Sequence, residues 1–309
     1  MASLPITTSS RKALLPYLAL ATGILALGFS AIFVRWANAP GPVMGFYRIG
    51  LSTLILAPAF IQHRRSRGPL SRAVLLFPIL GGIMTAFDHA LWNTSVNFTS
   101  AANATLLGNT APLWVALAAW LIWHERLAAR FWSGLALTLG GATIVLSSDF
   151  LRHPTLGIGD LLAIAAGLFY AGYFLVTQRG RALLDTLSYI WLVGLTASLS
   201  LLGISLSLRL PLTGYSTQTY LAFLGAAIVA QTLGYLSVGY ALGHLPASLV
   251  APTMIGQPVT TALLAIPLLG EPLHASQLLG GLAVLAGIYL VHTSREKKNQ
   301  NNTENINGP

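Results

Sequence analysis

Three residues of this 309-residue chain carry chemistry that matters inside an apolar environment: Arg48, Asp88 and His89. A guanidinium stays charged at any working pH, a carboxylate can pair with it or hold a proton, and an imidazole titrates near neutrality. Arg48 falls six residues after Pro42, and Asp88 six residues before Thr94. If Pro42 and Thr94 mark one membrane boundary, a rise of about 1.5 Å per residue places both charges about 9 Å deep. An isolated charge there costs at least about 2.5 to 3.5 kcal/mol, so an Arg48–Asp88 ion pair is one expectation. The other is that Arg48 snorkels outward while Asp88 faces a wet cavity alone. His89 follows Asp88 directly and is expected on a different helical face, either relaying protons in a coupled process or packing as a neutral ring.

Neutral polar and aromatic residues surround these positions in the sequence. Trp92 shares a helical face with Asp88, as do Thr85, Leu91 and Ser95. Asn103, Leu107 and Thr110 form a similar stripe, with Asn109 beside it, ahead of Pro112. Gln231 and Tyr235 fall on one later apolar run, and Thr253, Gln257 and Thr260 on the next; Tyr170 and Tyr173 offer an aromatic wall. The expected substrate-binding set is Asp88, Trp92, Asn103, Asn109, Tyr170, Tyr173, Gln231, Tyr235 and Gln257. Interhelical hydrogen bonding competes as the explanation of each amide and hydroxyl, and packing or an interfacial belt as that of each aromatic.

Several chemistries are set aside. There is no cysteine, which removes disulfides, thiolate catalysis and Cys-ligated zinc. Gly157–Ile158–Gly159–Asp160 looks like an intramembrane protease motif, but Asp160 opens a helix, where capping explains it. His124–Glu125 lacks the second histidine of a zinc helix. No catalytic residue, metal or cofactor is expected.

The elements that must position these residues are membrane helices. Hydrophobic residues make up 54% of the chain and charged residues 8%, outside the range of a soluble domain. Apolar runs at roughly 14–34, 43–62, 73–95, 101–123, 131–147, 159–178, 187–207, 218–240, 247–269 and 276–293 give ten spans of an all-α integral membrane protein. Short turn-rich connections separate them, and the Asn-rich tail from residue 295 to 309 is expected to be disordered. With the N-terminus cytoplasmic, 13 of the 17 Lys and Arg residues fall on that side, so both termini are expected there. The net charge of +9 is then a topology signal, and nucleic acid is not an expected partner.

A shift of 146 residues carries Pro112 to Pro258, Glu125 to Glu271, Gly134 to Gly280 and Gly141 to Gly287. The chain therefore divides into a cytoplasmic segment 1–12, a first repeat 13–150, a second repeat 151–294 and the tail. Five spans per repeat is an odd number, so the second copy is inverted, an architecture that places a binding site between the halves. The Glu125 loop carries Arg126 and Arg130, whereas the Glu271 loop has no Lys or Arg, as inversion requires. Where the copies differ, the site is expected: Asp88 becomes Gly234, Trp92 Val238, Asn103 Leu249 and Asn109 Ile255.

The motifs GFSAIFVRWA, FYR at Arg48, TSAANATLLGNTAP at 99–112, ERL at 125–127, GIGDLLA at 157–163 and PLLGEPL at 267–273 resemble those of the EamA-type drug/metabolite transporter superfamily. The resemblance implies ten helices in two inverted five-helix repeats and transport of a small metabolite, often outward. The expected function is a secondary-active exporter of a small polar or amphipathic, amino-acid-like metabolite, working by alternating access in a cytoplasmic (inner) membrane. Its partners are the substrate, the bilayer and, in a coupled mechanism, protons, with the chain a monomer or homodimer. The alternatives are a membrane-embedded enzyme using Asp88 and His89, or a non-transporting scaffold; the chain lacks the polar domain a scaffold would present, and it is not expected to be an enzyme.

Overall fold

The computed structural model describes residues 8–66, 70–95, 98, 107–122, 124, 127–150, 157–269 and 275–306. Among them the regular structure is entirely helical. The order is α1 (Thr8–Gly28), α2 (Ser30–Ala37), α3 (Gly41–Arg65), α4 (Arg72–Ser95), α5 (Ala111–Leu121), α6 (Ala129–Phe150), α7 (Ile158–Leu183) and α8 (Thr186–Ser207). Then come α9 (Thr217–Gly225), a π-helical segment (Ala226–Gly234), α10 (Tyr235–Leu242), α11 (Ala247–Met254), α12 (Gly256–Leu269) and α13 (Ala275–Ile306).

Six stretches are long and apolar enough to cross a membrane: Leu14–Ala37, Gly41–Arg65, Val74–Ser95, Ile158–Leu183, Thr186–Ser207 and Thr217–Leu242. Ala111–Leu121 and Leu278–Ser294 are shorter apolar helices. The expected run 247–269 is divided at Ile255 into α11 and α12, beside Pro252 and Gly256, which disfavour a continuous helix. At the end of the chain α13 continues to Ile306, through the tail for which disorder was expected. Helix propagates there from an established apolar portion through good helix formers such as Glu296, Lys297 and Lys298.

Helix ends follow local chemistry. Pro42 occupies the first turn of α3, where its missing N–H costs nothing. Asp185 caps α8 by accepting from the Ser188 backbone N–H at 3.0 Å, and Ser216 caps α9 by accepting from that of Thr219 at 3.2 Å. Asp160 behaves as its sequence context predicts, its carboxylate accepting from the Gly157 N–H at 2.7 Å at the start of α7.

Two packing arrangements position everything else. In one, α6 and α13 run antiparallel with their backbones nearly touching. A Cβ at Gly134 would lie 2.9 Å from the Gly287 carbonyl oxygen, one at Gly141 2.7 Å from that of Gly280, and one at Gly287 2.7 Å from that of Gly134. Only glycine permits this approach, which is how membrane helices gain close van der Waals contact without a hydrophobic driving force. In the other, α4 packs between α7 and α8, α3 lies against α8 and the π segment, and α1 lies against the π segment, α10 and α12. The largest apolar core, which includes Leu20, Tyr173, Phe174, Tyr189, Tyr235 and Val250, fills the junction of α1, α7, α8, α10 and α11.

Candidate functional site

α1 and α2 are one apolar run in the sequence but two helices in the structure, interrupted at Phe29. The break exposes carbonyls that the helix no longer uses. α12 supplies their donors: Gln257 Nε2 donates to Leu27 O at 3.2 Å and Thr261 Oγ1 to Gly28 O at 2.9 Å. Gln257, expected to line a cavity, thus satisfies backbone at the break.

Ser30 immediately follows the break and accepts a hydrogen bond from Arg48 NH1 at 2.6 Å. Arg48 Nε donates to Gln231 Oε1 at 3.0 Å. The guanidinium also stands 5.8 Å from the centroid of the Tyr235 ring, within cation–π range. Arg48 and Gln231 are 6% and 5% exposed, so this is a buried cation held by neutral groups from α2, the π segment and α10. Gln231 lies inside the π segment, and the neighbouring Thr232 hydroxyl donates to Ala227 O five residues back and bonds to Ser52 of α3. Short π segments are frequent at functional sites, where they re-aim side chains.

Asp88 does not contact the guanidinium. Among the described residues, Arg48 has no carboxylate within 4.0 Å, although Asp88, Tyr170 and Tyr235 are all within electrostatic reach of it. In this structure the direct ion pair expected from matched depths is replaced by two neutral acceptors. Asp88 instead lies 3.4 Å from His89, Oδ2 to Nδ1. His89 was expected to point away from Asp88. Its Nδ1 turns back to the Thr85 carbonyl at 3.0 Å, which brings the ring edge beside the carboxylate. A carbonyl oxygen only accepts, so Nδ1 is the donor of this bond.

The His89 and Tyr235 ring centroids are 6.4 Å apart. The two positions correspond under the 146-residue shift, so equivalent positions of α4 and α10 approach each other beside Arg48. Tyr173 meets Tyr235 edge-on at 5.6 Å, and Tyr170 stacks on Tyr173 at 6.3 Å. Tyr173 is 1% exposed, and its hydroxyl lies beside Thr177. Trp92, Tyr170 and Asn109 are half-buried. Asn103 lies outside the described residues, as do Glu125 and Glu271. Toward the C-terminal end of α7 three hydrogen bonds join it to its neighbours: Tyr189 donates to Thr177 Oγ1, Arg181 Nε to Gly239 O, and Gln178 accepts from the Ala247 N–H.

The sequence reading missed Ser30 and Thr261. Gly28 and Ser30 in GFSAIF carry the signal for a helix break, since Gly/Ser pairs are a recognised cause of kinks. A groove of about 460 Å³ between Leu15, Leu18, Thr22, Leu236 and Tyr240 shares no residue with the Arg48 cluster. No group of three or more metal-ligating side chains occurs among the described residues.

The model of the EamA-like transporter family matches residues 14–147 and again 157–293. An "Uncharacterized transporter" of Archaeoglobus fulgidus is 26% identical over 80% of this chain and 86% of its own length. An uncharacterized protein of Pseudomonas aeruginosa is 32% identical over 79% of this chain and 86% of its own length. A Salmonella typhimurium protein named "Probable amino-acid metabolite efflux pump" is 29% identical over 55% of this chain and 60% of its own. One crystal structure, at 18% identity, superposes with a TM-score of 0.75 over 91% of this chain and 98% of that one, which establishes the fold alone.

Proposed function

Because the chain belongs to the EamA-like transporter family, we propose that it is a secondary-active transporter which moves a small polar or amphipathic, amino-acid-like metabolite outward by alternating access. The observation that carries this reading is the buried Arg48–Gln231–Tyr235 cluster, where equivalent positions of the two family matches meet. Membrane proteins keep a charge at depth chiefly where a pathway uses it. The name of the Salmonella relative supports both an amino-acid-like substrate and the outward direction.

Ten spans in two inverted five-helix repeats remain the architecture of this proposal. Its support is the α6–α13 seam, where Gly134 meets Gly287 and Gly141 approaches Gly280. Under the 146-residue shift Gly134 corresponds to Gly280 and Gly141 to Gly287, so each glycine contacts the counterpart of the other. A reciprocal contact of this kind is what a two-fold relation produces. The distribution of Lys and Arg supports cytoplasmic termini in an inner membrane. Asp88, Trp92, Tyr170, Tyr173, Gln231 and Tyr235 line or support the substrate position, and no catalysis is assigned to Asp88 and His89.

Flux in proteoliposomes across a panel of amino acids and related metabolites, with and without a pH gradient, tests the reading. Saturable flux of at least one compound is expected, slowed by Asp88→Asn. Reconstituted protein that moves none of them but hydrolyses a lipid or peptide would overturn it. A flux enhanced by an inward proton gradient would make protons the coupling ion.

A further inference from the structure

We infer that the occupant of this site is an organic carboxylate, received by the unengaged N–H groups of Arg48. The inference rests on the transport reading of the same cluster and adds the chemical group that is recognised.

A guanidinium has five N–H donors in a planar fork. Arg48 commits one on Nε to Gln231 and one on NH1 to Ser30. Among the described residues the other three have no acceptor. Both partners are neutral, so the charge of a 6%-exposed cation is not cancelled by contact. Asp88 is the carboxylate within electrostatic reach, and its own contact is with His89. A buried cation with spare donors and no anion touching it is an incomplete arrangement, because buried charges are paired.

The guanidinium stands 5.8 Å from the Tyr235 ring centroid. An anion beside that ring would receive the fork of Arg48. A carboxylate matches the fork in shape and in charge. An ammonium would be repelled by Arg48, and a phosphate dianion would bring two charges to a single cation. The stacked Tyr170 and the half-buried Trp92 leave an aromatic surface for the rest of the molecule.

The test is equilibrium binding to the purified full-length chain, read by intrinsic tryptophan fluorescence and thermal shift. The probes are phenylacetate, 2-phenylacetamide, phenethylamine and phenyl phosphate. Phenylacetate is expected to bind at least about tenfold more tightly than its amide, the discrimination lost with one charge-assisted hydrogen bond. Arg48→Gln should abolish that preference. Equal or tighter binding of the amide, the amine or the phosphate overturns the inference, as does the absence of phenylacetate binding at millimolar concentration. Because the wild-type panel decides this alone, an Arg48 variant that fails to fold does not rescue the inference. Flux of uncharged or cationic metabolites without a carboxylate preference would sink the inference and leave the transport reading standing.

Discussion

The α6–α13 seam and the Arg48 cluster are both interior contacts of one apolar bundle, yet they are built on opposite principles. At the seam, glycines preserved under the 146-residue shift face each other's counterparts, and none of the groups they approach is charged. At the cluster the shift turns Arg48 into Gly194, Asp88 into Gly234 and Tyr173 into Leu27. Its contacts are polar, and one cation is left with donors to spare. Repetition yields a frame whose two halves fit each other; a ligand site needs departures from that repetition.

The sharpest way to break this contrast is to add volume at neighbouring glycines of the seam. A Cβ at Gly141 would meet Gly280 O and Val284 N at 2.7 Å, both backbone atoms, whereas nothing lies within 4 Å of one at Gly140. Gly141→Leu is expected to cost about 3 kcal/mol or more and to abolish a monodisperse peak in size-exclusion chromatography. Gly140→Leu should stay within about 0.5 kcal/mol of the parent. Equal behaviour of the two variants would mean that the seam is not a close contact.

Next in size is Arg48→Gln, with a predicted loss of about tenfold or more in flux and a much smaller change in thermal midpoint than at Gly141. A variant that unfolds like Gly141→Leu would move Arg48 from site to frame. One with unchanged flux would remove it from the substrate path.

The smallest effect is expected at Asp185, outside the spans. Its carboxyl accepts from the backbone N–H and hydroxyl of Ser188 at 3.0 and 2.8 Å and lies 3.2 Å from His63 Nε2. Burial pushes its pKa up, but the bonds from Ser188 and His63 outweigh burial and hold it below the ordinary 3.8. A depressed folded-state pKa contributes stability that is present above the unfolded value and lost as pH falls through the folded one. Asp185→Asn should therefore lower the thermal midpoint by about 2–4 °C at pH 7. The gap should close only in acid below pH 3.8; a gap that instead closes between pH 8 and pH 6 would contradict the assignment.

Most of the frame was legible in the sequence because apolar length and glycine recurrence are local or periodic signals. The six long apolar spans and the seam follow from them. The breaks were less legible, since a helix interruption at Phe29 or Ile255 changes no residue's hydropathy. The Arg48 cluster was legible in its members and not in its pairings. Arg48, Gln231, Tyr235 and Tyr173 were expected at the site, but Gln231 lies 183 residues from Arg48 and reaches it through a π segment that shifts helical register. Depth alone pointed to Asp88 as the partner, and a depth argument cannot see the rotation of one helix about its axis. Ser30 and Gln257 take their roles from the break itself, so neither could be assigned until the break was seen.

The chain contains no cysteine, so a single introduced thiol reports on one position alone. Trp92, half-buried on the α4 face it shares with Asp88, is the place to put it. With Trp92→Cys in vesicles of known orientation, the account predicts labelling by a membrane-impermeant maleimide from either side, slowed by a transported substrate on both. Labelling from one side only, or from neither, with no effect of substrate would contradict a central site with alternating access.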